Sequence, residues 1–111
     1  MQVVDLSDIP EERVEEAEKT TVRWLIDEKI GAKNFAMRYF VIERGGNTPL
    51  HTHDWEHEMF VVKGEGYVSD GKTKVKIKPG NAIFVKPNEM HQVINEDSER
   101  LEIICLIPIK N

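Results

Sequence analysis

The chain contains four histidines, and His51, His53 and His57 fall within seven positions of "HTHDWEHE". An imidazole binds metal through a neutral ring nitrogen and suits zinc, copper, iron and nickel. Residues two apart on an extended strand share a face, so His51 and His53 project together. The intervening "DWE" can form a tight turn, after which His57 opens the next strand and can return to the same space. His91 follows another turn, "KPNEM", thirty-four residues after His57. Two strands in register would then offer three nitrogens to one ion, and a third strand would supply the fourth. A lone histidine is more often a surface or core residue. Four of them, each beside a turn signal, form a chelating pattern.

Those side chains need strands to hold them, and from Trp24 onward the sequence reads as strands and turns. "TVRWLI" (21–26) alternates, with Val22, Trp24 and Ile26 on one side. "FAMRYFVIE" (35–43) is aromatic and β-branched and is expected to stop at Gly45–Gly46. "EMFVVKG" (58–64) ends at a glycine, and "YVSDGKTKVKIK" (67–78) carries Asp70–Gly71, a two-residue hairpin signal. "NAIFVK" (81–86), "HQVIN" (91–95) and "LEIICLIPI" (101–109) complete the set. Short, closely spaced strands indicate an all-β sandwich or barrel. Lys72, Lys74, Lys76 and Lys78, at period two, read as a solvated strand face that protects an edge. Residues 1–20 form a lead-in. Within it "SDIPEERVEEAEK" has a helix-start pattern at Ser7 or Asp8 but little apolar content, which predicts a short helix or an irregular segment.

A chain of 111 residues suits one domain, long enough for a core without staples. Its 40% apolar and 32% charged content is that of an ordinary soluble globular protein. No apolar run reaches the ~20 residues a membrane helix needs, and the first residues lack a basic or apolar signal region. The expected location is therefore the cytoplasm. A net charge of −5 argues against nucleic acid as a partner. Most of that charge lies in residues 5–28, with nine acidic and three basic side chains, and reads as solvated surface. Cys105 is the lone cysteine and can form no intramolecular disulfide; its apolar surroundings mark it as a small buried hydrophobe.

The histidine segment resembles the first motif of the cupin superfamily, G-x5-H-x-H-x(3 or 4)-E-x6-G, and "GNAIFVKPNEMHQVIN" resembles the second, G-x5-P-x-G-x2-H-x3-N. Gly45 precedes His51 by six positions, Gly80 precedes His91 by eleven, and His91 precedes Asn95 by four, as those motifs ask. The resemblance covers residues 35–107. Two departures stand out. The position usually held by glutamate, with six residues between it and Gly64, is His57, with Glu58 directly after it. Counting back from Gly64 chooses His57 as ligand and the looser spacing chooses Glu58; alternation then sends one of the two inward and the other outward. Asn88 stands where glycine is usual and Pro87 is one place late, a mild change because Asn tolerates a left-handed turn.

The resemblance implies a small, single-domain double-stranded β-helix, a jelly-roll barrel of the conserved-barrel type. It also implies an all-histidine metal site inside one mouth and a homodimer. The ion would be a divalent transition metal: manganese, iron, nickel, copper or zinc. Four neutral imidazoles would leave such an ion its formal charge of +2, favouring anionic or chelating oxygen ligands. Histidine-rich cupins include oxidoreductases, which makes a dioxygenase-like enzyme acting on a small organic molecule the leading expectation. A non-catalytic, metal-assisted binder or sensor is the alternative, and a closed zinc site would be structural. Alternation nominates Met37 and Tyr39 for the pocket wall. On the last strand it nominates Ile103 and Cys105, or else Ile104 and Leu106. Trp55 is a candidate lid, and Glu56 and Glu58 are nearby bases.

Overall fold

Alternating β-branched and aromatic residues, cut by glycine and proline, produce nine strands in the computed structural model, which describes residues 1–110. They are β1 (Glu12–Arg13), β2 (Glu18–Ile26), β3 (Phe35–Asn47), β4 (His57–Lys63), β5 (Gly66–Ser69), β6 (Lys74–Ile77), β7 (Ala82–Val85), β8 (Gln92–Ile94) and β9 (Arg100–Pro108). All pairings are antiparallel, in the order β6-β5-β8-β3-β9-β4-β7, with β2 on the other edge of β3 and β1 on β2. The sheet curls into a double-stranded β-helix. β4 shows the alternation plainly: His57, Met59 and Val61 are buried, while Glu58, Phe60 and Val62 face out.

The apolar core comprises Ile42, Met59, Val61, Ile77, Val85, Val93, Leu101, Ile103 and Cys105, contributed by six strands. Asn95 is fully buried within this framework. Its amide nitrogen donates to the carbonyls of Ile42 and Ser98 at 2.8 and 3.1 Å, and its Oδ1 accepts from Ser98 N–H at 3.0 Å. Every polar group of this amide that needs a partner has one, so it ties β3 to the turn between β8 and β9.

Two local expectations are corrected. First, β3 does not stop at Gly45–Gly46 but runs on to Asn47. There it leaves β9 and joins β8: Gly45 N–H donates to Asn95 O, and Asn95 N–H to Gly46 O. A side chain at Gly46 would lie 2.5 Å from the Glu18 carbonyl, so the glycine permits a close crossing rather than ending a strand. Second, the Asp70–Gly71 hairpin is a four-residue connection. Ser69 pairs with Lys74, and Asp70 Oδ1 accepts from the N–H groups of Lys72 and Thr73. The aspartate caps its own turn, which a two-residue loop could not accommodate. The N-terminal segment is, as expected, a short helical turn in an otherwise irregular lead-in. A 3-10 turn at Leu6–Asp8, capped by Asp5, is followed by β1 lying against β2, and β2 already begins at Glu18. With no apolar stripe to bury, the segment satisfies its backbone at a sheet edge instead. No helix is long and apolar enough to cross a membrane.

Candidate metal centre

His51 and His91 come from segments far apart in sequence and form an isolated antiparallel bridge. Each backbone N–H donates to the other's carbonyl, at 3.2 and 3.0 Å. The His53 carbonyl accepts from Asn88 N–H at 2.7 Å, and Asn88 adopts the left-handed conformation, φ +66°. The turn before His91 is thus fastened to the strand end that carries His51 and His53.

Second contacts fix which ring nitrogen each imidazole presents. His53 Nδ1 lies 2.9 Å from the Trp55 carbonyl, and His91 Nδ1 lies 2.9 Å from the Glu89 carbonyl. Each Nδ1–H donates to its carbonyl, which leaves the Nε2 lone pair for another partner. His53 Nε2 is buried and has no hydrogen-bond partner among the described residues. The ligand atoms of His51, His53 and His91 all lie within 4.8 Å of one another. Three converging imidazoles with an orphaned nitrogen among them fit a divalent transition metal.

His57 borders this trio. Its ring stacks on His53 at 4.2 Å and stands 5.1 Å from His91, while its Nδ1 lies 3.5 Å from Cys105 Sγ. It is 8% exposed, whereas Glu58 is on the outer face of the same strand. Burial, followed by the positive fields of His53 and Arg38, pushes the His57 imidazole down to about 3. Burial also lowers His51 and His53. His51, His53 and His57 therefore stay in the neutral, ligand-competent form below the usual histidine range.

The histidines open into a cavity of about 450 Å³. Trp55, Ile103 and Cys105 line it, and so do the apolar side chains of Phe40, Ile42, Met59, Val93 and Ile107. Trp55 stacks on His53 with ring planes 6° apart and carries Lys110 on its face. Met37 and Tyr39 are not part of the wall. They take the opposite face of β3, where the Tyr39 hydroxyl donates to Glu102 Oε1 at 2.7 Å. The cavity face of β3 is Arg38, Phe40 and Ile42. Glu56 and Glu58 are likewise absent from the lining, and Ile104 and Leu106 sit on the outside of the sheet with Phe60 and Phe84. The acids at the cavity are Glu15 and Glu16, from the N-terminal segment, beside Val14. Sequence reasoning missed them because the segment reads as solvated, and it missed Arg38 because alternation normally sends a charge outward.

Residues 38–107 match the family model for the cupin domain. Among solved structures, the chain is similar to the polyketide cyclase RemF from Streptomyces resistomycificus, with 32% identity and a TM-score of 0.93, covering 99% of this chain and 80% of that one. It is also similar to a predicted oxalate decarboxylase from Thermotoga maritima, with 26% identity and a TM-score of 0.85, covering 98% and 100%. A curated relative, 1-methylthio-D-xylulose 5-phosphate methylsulfurylase of Rhodospirillum rubrum, is 25% identical over 71 residues, which is 64% of this chain and 46% of that protein. The chain thus spans about half the length of the curated relatives it matches first.

Proposed function

The chain belongs to the cupin domain family, and from that premise we propose that it is a metal-dependent enzyme acting on one small organic molecule held in the barrel. The observation that carries this reading is the buried, unpartnered His53 Nε2, set among three imidazoles at the edge of an apolar cavity. His51, His53 and His91 would hold the ion, with His57 beside them as the candidate fourth ligand. When bound, a divalent ion there supplies Lewis acidity toward a carbonyl or hydroxyl oxygen and, if redox-active, a route to dioxygen. The carbonyls of Trp55 and Glu89 hold two imidazoles in the required tautomer. Phe40, Ile42, Ile103 and Ile107 exclude water and orient a flat substrate, and the cavity volume is ample for a compact conjugated molecule.

Two chemistries fit this frame. Non-oxidative rearrangement or ring closure is favoured by the similarity to a polyketide cyclase across almost the whole chain. A dioxygenase-like oxidation is favoured by the all-nitrogen donor set, which would leave the charge of a bound ion undiminished and favour an anionic oxygen ligand. Elemental mass spectrometry on protein purified without chelators, beside His53→Ala, tests the common premise. Near-stoichiometric manganese, iron, nickel, copper or zinc in the parent, lost in the variant, is the expected result. No metal in either after reconstitution overturns it. Turnover of polyketone and hydroxyaromatic compounds without oxygen would select the first chemistry, and oxygen uptake matching product the second. A loaded protein that binds these compounds without converting them would be a binding module.

A further inference from the structure

Arg38 is a cation inside the barrel without an anion. It lines the cavity from β3, with Phe40 and Ile42 on the same face and Ile103, Cys105 and Ile107 beside it on the neighbouring strand β9, where Cys105 is its cross-strand partner. Its guanidinium carbon lies 4.8 Å from the Phe40 ring and 5.4 Å from the Trp24 ring. One terminal nitrogen donates to Cys105 Sγ at 3.2 Å, and Nε is buried with no partner. Among the described residues no carboxylate makes an ion pair with it, Glu15 and Glu16 included, although both reach the cavity.

This arrangement is costly as it stands. A thiol sulfur is a weak acceptor, so the guanidinium has given up water for little in return. A partly buried charge without a counter-charge is destabilising, and so is an orphaned buried donor. The aromatic faces of Phe40 and Trp24 offset part of that cost and hold the planar group in one orientation. Its field is felt at the histidines, where it helps keep His51, His53 and His57 deprotonated. A divalent ion on neutral imidazoles would add two more positive charges to the same cavity. Glu15 and Glu16 reach the same cavity and offset part of that sum, but neither pairs with Arg38. The balance has to come from the ligand.

We propose that Arg38 is an anion-holding residue, and that the molecule taken at the metal centre carries a carboxylate or a comparable oxyanion on a flat, apolar frame. The proposal rests on the metal-dependent reading for its second anchor, but the Arg38 subsite exists without the ion. A guanidinium recognises such a group through paired N–H donors, a geometry lysine does not reproduce.

Calorimetric titration with 2-naphthoate and its neutral isostere 2-naphthamide tests this, in metal-reconstituted and metal-free protein. The parent should bind the anion about tenfold more tightly than the amide in both states, the preference expected of one charge-assisted hydrogen-bonded pair. Arg38→Met, which keeps the stem over Phe40 and Trp24, should bring that ratio to about one while leaving metal content unchanged. Arg38→Lys should keep only part of the preference, which guards against a folding defect in the first variant. Equal binding of the two compounds by the parent, no saturable binding of the anion, or an undiminished ratio in Arg38→Met would each overturn the proposal. So would a preference that vanishes when the metal is stripped, because the anion's partner would then be the ion. A preference that persists in protein unable to take metal would uphold the Arg38 subsite and defeat the metal-dependent reading.

Discussion

His57 is the imidazole that its surroundings perturb most strongly. Where the motif resemblance leads one to expect a carboxylate, the chain places a buried imidazole against Cys105 and His53. Its folded value of about 3 lies well below the ordinary 6.5, so between these limits the unfolded chain binds a proton that the folded chain refuses. Stability of the metal-free protein should therefore rise with pH across that window. It should be fully present above about 6.5 and decline as the pH falls toward 3. Urea denaturation at pH 7 and pH 5 should show this decline, and His57→Asn should show a shallower one. Equal slopes for parent and variant would assign the acid sensitivity to other groups. The histidines were legible as a set because their spacing carries the information. Arg38 was not legible: both alternants of β3 carry apolar side chains, so the strand's sequence does not say which face the arginine takes.

At the scale of the element, strand positions followed from alternation and punctuation, while strand partners did not. Gly45–Gly46 was readable as a break but is a change of neighbour, because the sequence of β3 says nothing about which edge lies beside it. In the N-terminal segment capping residues signalled the short helical turn, and the lack of an apolar stripe left the rest to the sheet edge. Gly64 was read as the end of β4 and as the glycine that sets the motif's register, yet it has a further role. It sits at φ +81°, and a Cβ there would lie 1.9 Å from the Arg100 carbonyl. Gly64→Ala should cost about 2–4 kcal/mol, from backbone strain and the forced displacement of β9 together. A lowered urea midpoint with unchanged metal content would confirm that the glycine serves the barrel and not the site. A midpoint within error of the parent would refute the close approach.

The whole molecule shares part of its core with the site and keeps part of it apart. Ile42, Met59, Val93, Ile103 and Cys105 belong to both the core and the cavity wall, whereas Val61, Ile77, Val85 and Leu101 pack away from the cavity. The core closes without help from an ion, so stripping the metal should leave the far-ultraviolet circular dichroism unchanged and unfolding cooperative. The unfolding midpoint should fall only by the contribution of metal binding itself. A chelated protein that loses its strand signal would instead make the metal structural. This division also accounts for the legibility of the fold over the mechanism. Barrel-forming residues announce themselves through periodicity, whereas a cavity is the space that many strands leave between them.

The stacking of Trp55 on His53, at 4.2 Å between ring centroids, has a practical consequence. An indole in van der Waals contact with a candidate ligand ring is a built-in fluorophore beside the proposed centre. Paramagnetic ions binding there would quench its emission and zinc would not, so tryptophan fluorescence would give a label-free gauge of which kind of ion the site takes.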